Sequence, residues 1–221
     1  MQPSEQLFKQ ICDSHGIGCV RLKEGRTKTP DFLCEFNGLI VFAEVKALSL
    51  SKHDRELYNE FLDGGGVVFS TPLGSKARQA IRTASEQLRA HTKGIQAGIV
   101  VIRSLVPRAM SDPVEPHAIK TAMFGQETVH FLSPEWGEPI LEVVGHNLGR
   151  RKTLTADHNT TVSAVVVMDP YDKNNLITIF HNVHAKVPLE ITRTAPYGFK
   201  QYRIVASGSK GYAEWEQVTT G

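Results

Sequence analysis

Apolar and polar residues alternate along this chain with two periods, and the periods change at marked points. Leu7, Phe8, Ile11 and Cys12 recur at helical spacing, so the first segment reads as a helix running to about His15, with Ser4 as its cap and Gly16 and Gly18 ending it. A short strand is expected over Gly18–Leu22, followed by a basic turn, Lys23–Thr29. Two strand-like runs come next, Asp31–Phe36 and Leu39–Lys46, separated by Asn37-Gly38. Asn-Gly between apolar runs supplies the two positive-φ positions of a tight hairpin turn. The second run, Leu39-Ile40-Val41-Phe42-Ala43-Glu44-Val45-Lys46, is apolar on both faces until its last residues, as a central strand covered on both sides must be.

Beyond it, Lys52–Leu62 reads as a short helix and Gly64-Gly65-Gly66 as a break. Ala77, Ile81, Ala84 and Leu88 form the buried stripe of a longer helix over Ser75–His91, closed by Gly94, and Ala97–Ile102 is a further apolar strand. After Arg103 the chain is interrupted by Pro107, Pro113, Pro116, Pro134 and Pro139. It offers one helix at Pro116–Phe124 and strands near Thr128–Leu132, Ile140–Val144, Val162–Met168 and Leu176–Phe180, the last two as a hairpin. The order predicts an α/β core over about 1–105 with a β-rich extension, 106–221, packed on it.

Composition narrows the class only modestly. With 41% hydrophobic residues in 221, a substantial core can form, and no apolar run approaches the ~20 residues a membrane helix needs. The start, MQPSEQLFKQ, lacks a secretory pattern, so a cytoplasmic protein without membrane contact is expected. The net charge of +2 is too small to imply a polyanionic partner by itself, and its distribution, +3 over 1–103 and −1 over 104–221, is a mild bias. Cys12, Cys19 and Cys34 show no CxxC spacing and read as small buried hydrophobes.

The charged residues that break the pattern are more informative. Glu44 and Lys46 share one face of their strand, because side chains alternate, and an Asn37-Gly38 hairpin returns Asp31 to the same end. Two acids and an amine at one point suit phosphodiester hydrolysis. A hard cation held by carboxylates neutralises the phosphate and activates water, and a lysine steadies the developing charge. Charges at the end of an apolar strand are otherwise costly, by several kcal/mol each, unless paired or bound to metal. An ordinary Glu–Lys pair at a solvated strand end is the simpler alternative.

Pro30-Asp31, twelve intervening residues and Glu44-Val45-Lys46 resemble the motif of the PD-(D/E)XK nuclease superfamily, and the helix–strand–strand–strand–helix–strand order over 1–103 is similar to its core. The resemblance implies a restriction-endonuclease-like α-β-β-β-α-β core, a central mixed sheet flanked by helices. It implies Mg2+ (with Mn2+ as a substitute) held by Asp31, Glu44 and the Val45 carbonyl, with Lys46 positioning water. Glu5 on the first helix corresponds to an auxiliary acid of that superfamily, and Gln87 to a glutamine on the helix after the Glu-x-Lys strand, expected here among the nucleic-acid-binding residues. Arg21, Lys23, Arg26 and Lys28, leading into Asp31, are the expected nucleic-acid contacts, with DNA favoured over RNA. The stripe Arg78, Arg82, Arg89 and Lys93 is expected to be a solvated helix face, and residues 47–74 to line or cover the site. A defence or mobile-element role fits such an enzyme. The competing class is a silent nucleic-acid-binding or assembly module that keeps the fold, and a homodimer or protein partner stays open. His181-x-x-His184 and the His-Asn pairs at 146, 158 and 181 lack the framing of a metal site and are expected to be structural.

Overall fold

The computed structural model describes residues 1–221 except 24, 26–27, 67–71, 108–112, 133–141, 171, 173–175, 208–211 and 219–221. Helix α1 (Pro3–Ser14) leads into a meander of β1 (Gly18–Arg21), β2 (Phe32–Phe36) and β3 (Leu39–Leu48). Helices α2 (Lys52–Leu62) and α3 (Ser75–Thr92) cross over to β4 (Ala97–Ser104). Helix α4 (Pro116–Phe124), a separate hairpin of β5 (Glu127–Leu132) and β6 (Glu142–Leu148), and β7 (Ala164–Met168) with β8 (Ile177–His181) follow. A short helix α5 (Ile191–Thr194), β9 (Lys200–Ser207) and β10 (Tyr212–Gln217) complete the order.

Eight strands form one mixed sheet in the order β1-β2-β3-β4-β7-β8-β9-β10. The first three are antiparallel, β3 to β4 and β4 to β7 are parallel, and β8 to β9 is parallel again. The protein is therefore α/β, with a large sheet flanked by helices. Residues after 105 extend that sheet edge to edge as well as covering it.

Burial alternation explains the layering. On one face Val41, Ala43 and Val45 of β3 and Ile99 and Val101 of β4 pack with Phe8, Ile11 and Cys12 of α1. On the other, Val100 and Ile102 of β4 pack with Ile81, Ala84 and Leu88 of α3 and Ile119 and Met123 of α4. The first six residues of β4 are buried, as its unbroken apolar run requires. Gly74, at φ +69°, caps α3 and lets it approach α4 closely, since a Cβ there would lie 2.5 Å from the Ala118 carbonyl.

Two local expectations need correction. Ser4 does not cap α1. Pro3 occupies the first turn, where its fixed φ and missing N–H suit a helix start, and Gln2 is the N-cap, leaving Ser4 buried inside the helix. Strands β9 and β10 lie where no strand was expected, over a half-exposed, polar-rich stretch. The hairpin turn itself is as expected, with Asn37 at φ 53° and Gly38 at φ 85°. Its tip is held from the C-terminal half, where Tyr197 accepts from the Asn37 N–H at 3.1 Å and Arg193 donates to the Asn37 carbonyl at 3.0 Å. Among the described residues no helix is long and apolar enough to cross a membrane.

Candidate active site

The site is built where β2 begins and β3 nears its end. Phe32 pairs with Ala43, so one further step of antiparallel register sets Asp31 opposite Glu44. Asp31 Oδ2 accepts the Val45 N–H at 2.8 Å. A strand residue sends its N–H and C=O to the same side, so the Val45 carbonyl also faces the Asp31 edge. Glu44 and Lys46 point to the α3 face, opposite Ala43 and Val45, and Lys46 Nζ donates to Glu44 Oε1 at 2.6 Å and to Gln87 Oε1 at 3.0 Å. The structure thus joins Asp31, Glu44, Lys46 and Gln87 through direct bonds and strand register.

Glu44 is only 2% exposed, and its second oxygen, Oε2, is buried without a hydrogen-bond partner. An orphaned buried carboxylate oxygen is expensive, so the site asks for a proton or a cation. Burial pushes the Glu44 carboxyl up from 4.5 to about 7, against the opposing hydrogen bond from Lys46, and the nearby Asp31 charge adds to the rise. Asp31 is also raised, first by burial and then by the Glu5 charge, while the Val45 N–H and the Lys46 and Arg21 charges act the other way.

Glu5 reaches this neighbourhood from α1, is buried, and sits with Oε2 3.4 Å from the Arg21 guanidinium. It does not complete a three-carboxylate cage. Among the described residues no three of these acids bring ligand oxygens within 4.8 Å of one another. The oxygen donors here that could hold a hard cation are the Asp31 and Glu44 carboxylates and the Val45 carbonyl.

The basic residues divide. The Leu22 N–H bonds to the Asp31 carbonyl at 2.9 Å, so the turn between them springs from the site. Arg21 and Lys23 are exposed there, and Lys28 is exposed with Nζ 3.4 Å from Glu86 on α3. Arg26 lies outside the described residues. The α3 stripe is in part structural. Arg78 donates to the Thr121 carbonyl on α4 at 3.2 Å and Arg89 to buried Asn159 at 3.0 Å, whereas Arg82 and Lys93 are exposed. Within 47–74, helix α2 buries no residue and is fastened at its start. Ser51 and Asp54 form a reciprocal cap, and Lys76 of α3 bonds Asp54 at 2.8 Å. Residues 67–71 of that segment lie outside the described residues.

Of the histidine and asparagine pairs, Asn159 and the His181-Asn182 pair are structural ties. Buried Asn159 accepts from Ser85 and Arg89, buried Asn182 donates to the Val162 carbonyl, and buried His181 bonds Gln201 at 2.8 Å while His184 packs edge-on to Phe124. One grouping escaped the sequence reading. Cys12, Cys19 and Cys34 are buried as expected, but they also meet, with their sulfurs all within 4.8 Å of one another. The pairing of Cys19 with Cys34 across β1 and β2 carried the signal, but it needs the register of the two strands.

Comparison with family models, with curated proteins and with solved structures gives no match for this chain.

Proposed function

We propose that this chain is a Mg2+-dependent nuclease of the PD-(D/E)XK type that hydrolyses DNA phosphodiester bonds. The observation that carries this reading is the Glu44 carboxylate, which is buried, keeps Oε2 unpartnered and is set by strand register against Asp31. The order α1-β1-β2-β3-α2-α3-β4, with an antiparallel meander, β4 parallel to β3 and α2 as an additional helix in the crossover, supports a restriction-endonuclease-like core.

A divalent cation bound by Asp31, Glu44 and the Val45 carbonyl would neutralise phosphate charge and lower the pKa of water. The protein's own contribution is positioning. Asp31 fixes the Val45 peptide, and Glu44 and Gln87 hold the Lys46 ammonium between β3 and α3. That ammonium is three-quarters buried, where a preorganised charge stabilises a developing oxyanion more strongly than in water. Arg21 and Lys23 give the polyanion a basic approach beside Asp31.

The test is cleavage of plasmid and single-stranded DNA with Mg2+ or Mn2+ and with chelator. Cutting should need metal and be lost in Glu44→Ala and Lys46→Ala. Metal-independent cutting, or cutting that survives both substitutions, overturns the proposal. Metal bound at Asp31 and Glu44 without cleavage of either substrate supports the silent-module reading instead.

A further inference from the structure

Three thiols come together from three different elements, Cys12 from α1, Cys19 from β1 and Cys34 from β2. Their sulfurs all lie within 4.8 Å of one another, and Cys34 Sγ is 3.4 Å from Cys19 Sγ. A metal–sulfur bond of about 2.3 Å places sulfurs roughly 4.0 Å apart in a trigonal site and about 3.8 Å apart in a tetrahedral one. The 3.4 Å pair lies just below both values and no pair exceeds 4.8 Å, so small side-chain adjustments close the site.

The surroundings select the ion. The thiols sit in the apolar layer with Phe8, Ile11 and Ile17, which supplies no oxygen for a hard cation. No further His, Cys, Asp or Glu ligand atom joins the group among the described residues. A ligand set of three sulfurs suits a soft, closed-shell ion that accepts low coordination. The thiols would bind as thiolates, so metal uptake releases protons. Cys19 is on the edge strand and 7% exposed, the route by which an ion would reach the cluster.

We propose that Cys12, Cys19 and Cys34 form a three-thiolate site for one thiophilic d10 cation of the Cu(I)/Zn2+ class. The bound ion pins α1 to the β1–β2 pair. It is distinct in chemistry from the oxygen donors at Asp31 and Glu44, and it stands whether or not the chain cleaves DNA.

The experiment uses the reduced, metal-free full chain, titrated anaerobically with Cu(I) in a weak-chelator buffer and, separately, with Zn2+. We expect one ion per chain with ultraviolet thiolate-to-metal absorption, and alkylation of the native thiols slowed by at least about tenfold. Mg2+ gives neither effect. Either ion bound with both signatures supports the site. Cys19→Ala and Cys34→Ala, each checked by circular dichroism for an intact fold, should lose the absorption. The proposal is overturned if neither ion gives the absorption and the alkylation protection in the wild-type chain, or if well-folded Cys19→Ala and Cys34→Ala bind with unchanged stoichiometry.

Discussion

The same three elements furnish two chemically opposite clusters. Helix α1 gives Glu5 to one and Cys12 to the other, β1 gives Arg21 and Cys19, and β2 is entered through Asp31 and carries Cys34. The acid cluster lies at strand ends, mixes charges of both signs and leaves a carboxylate oxygen without a hydrogen bond. The sulfur cluster lies inside the apolar layer and shares hydrogen bonds among its own members. One is a site whose folded state holds unmet electrostatic demand. The other is satisfied as it stands, and a metal there would add a constraint without relieving a penalty.

Substitutions should separate the two. The largest effect is expected at Asp31→Asn or Glu44→Ala, with loss of DNA cleavage by at least about a thousandfold and no loss of fold, and Lys46→Ala should follow at roughly a hundred- to a thousandfold. Measured rates on plasmid with Mg2+ decide this. Ranking Cys34→Ala alongside them would show that the two clusters are not independent.

The stability of the metal-free protein should move the other way. Because Glu44 has a raised pKa in the fold, the native state holds its proton between about 4.5 and about 7, and the unfolded chain does not. Its contribution is favourable below that window and is lost as pH rises through it, by roughly 3 kcal/mol at most. Glu44→Gln should therefore match wild type near pH 4 and be the more stable of the two at pH 8, as read by urea midpoints. A less stable Gln variant at pH 8 would contradict the burial penalty. In the wild type, Mg2+ binding should release about one proton below pH 7, and calorimetry in two buffers of different ionisation heat measures it.

The smallest effects belong to supporting groups. Gln87→Ala removes one of two acceptors of Lys46 and should cost about tenfold in rate with little change in KM. Cys12→Ala should destabilise by about 1 kcal/mol and leave metal-dependent cleavage intact.

Much of the acid cluster was legible in the sequence because short-range rules govern it. Asn37-Gly38 fixes a hairpin register, period-two alternation puts Glu44 and Lys46 on one face, and together these place Asp31. Gln87 was legible as a boundary residue, but its bond to Lys46 depends on how α3 crosses β3. The sulfur cluster was not legible as a cluster, since it requires the register of β1 on β2 and the rotation of α1 over both. Arg78 and Arg89 looked solvent-facing for a related reason. Their partners, the Thr121 carbonyl and Asn159, come from segments distant in sequence. Strands β9 and β10 lack the apolar run of a central strand because they close the sheet at its far side, where one face meets water.

The placement of β4 between β3 and β7 has a consequence for biosynthesis. A growing chain carries both acids and the lysine once residue 46 is made, yet β4 keeps an open, apolar hydrogen-bonding edge until β7 emerges at residues 164–168. Parallel pairing over so long a crossover is slow to form. A fragment ending at residue 105 is accordingly expected to aggregate through that edge, and a soluble, monomeric fragment would show that the N-terminal half can mature alone. Otherwise β7, translated well after the site residues, decides when they acquire a settled scaffold.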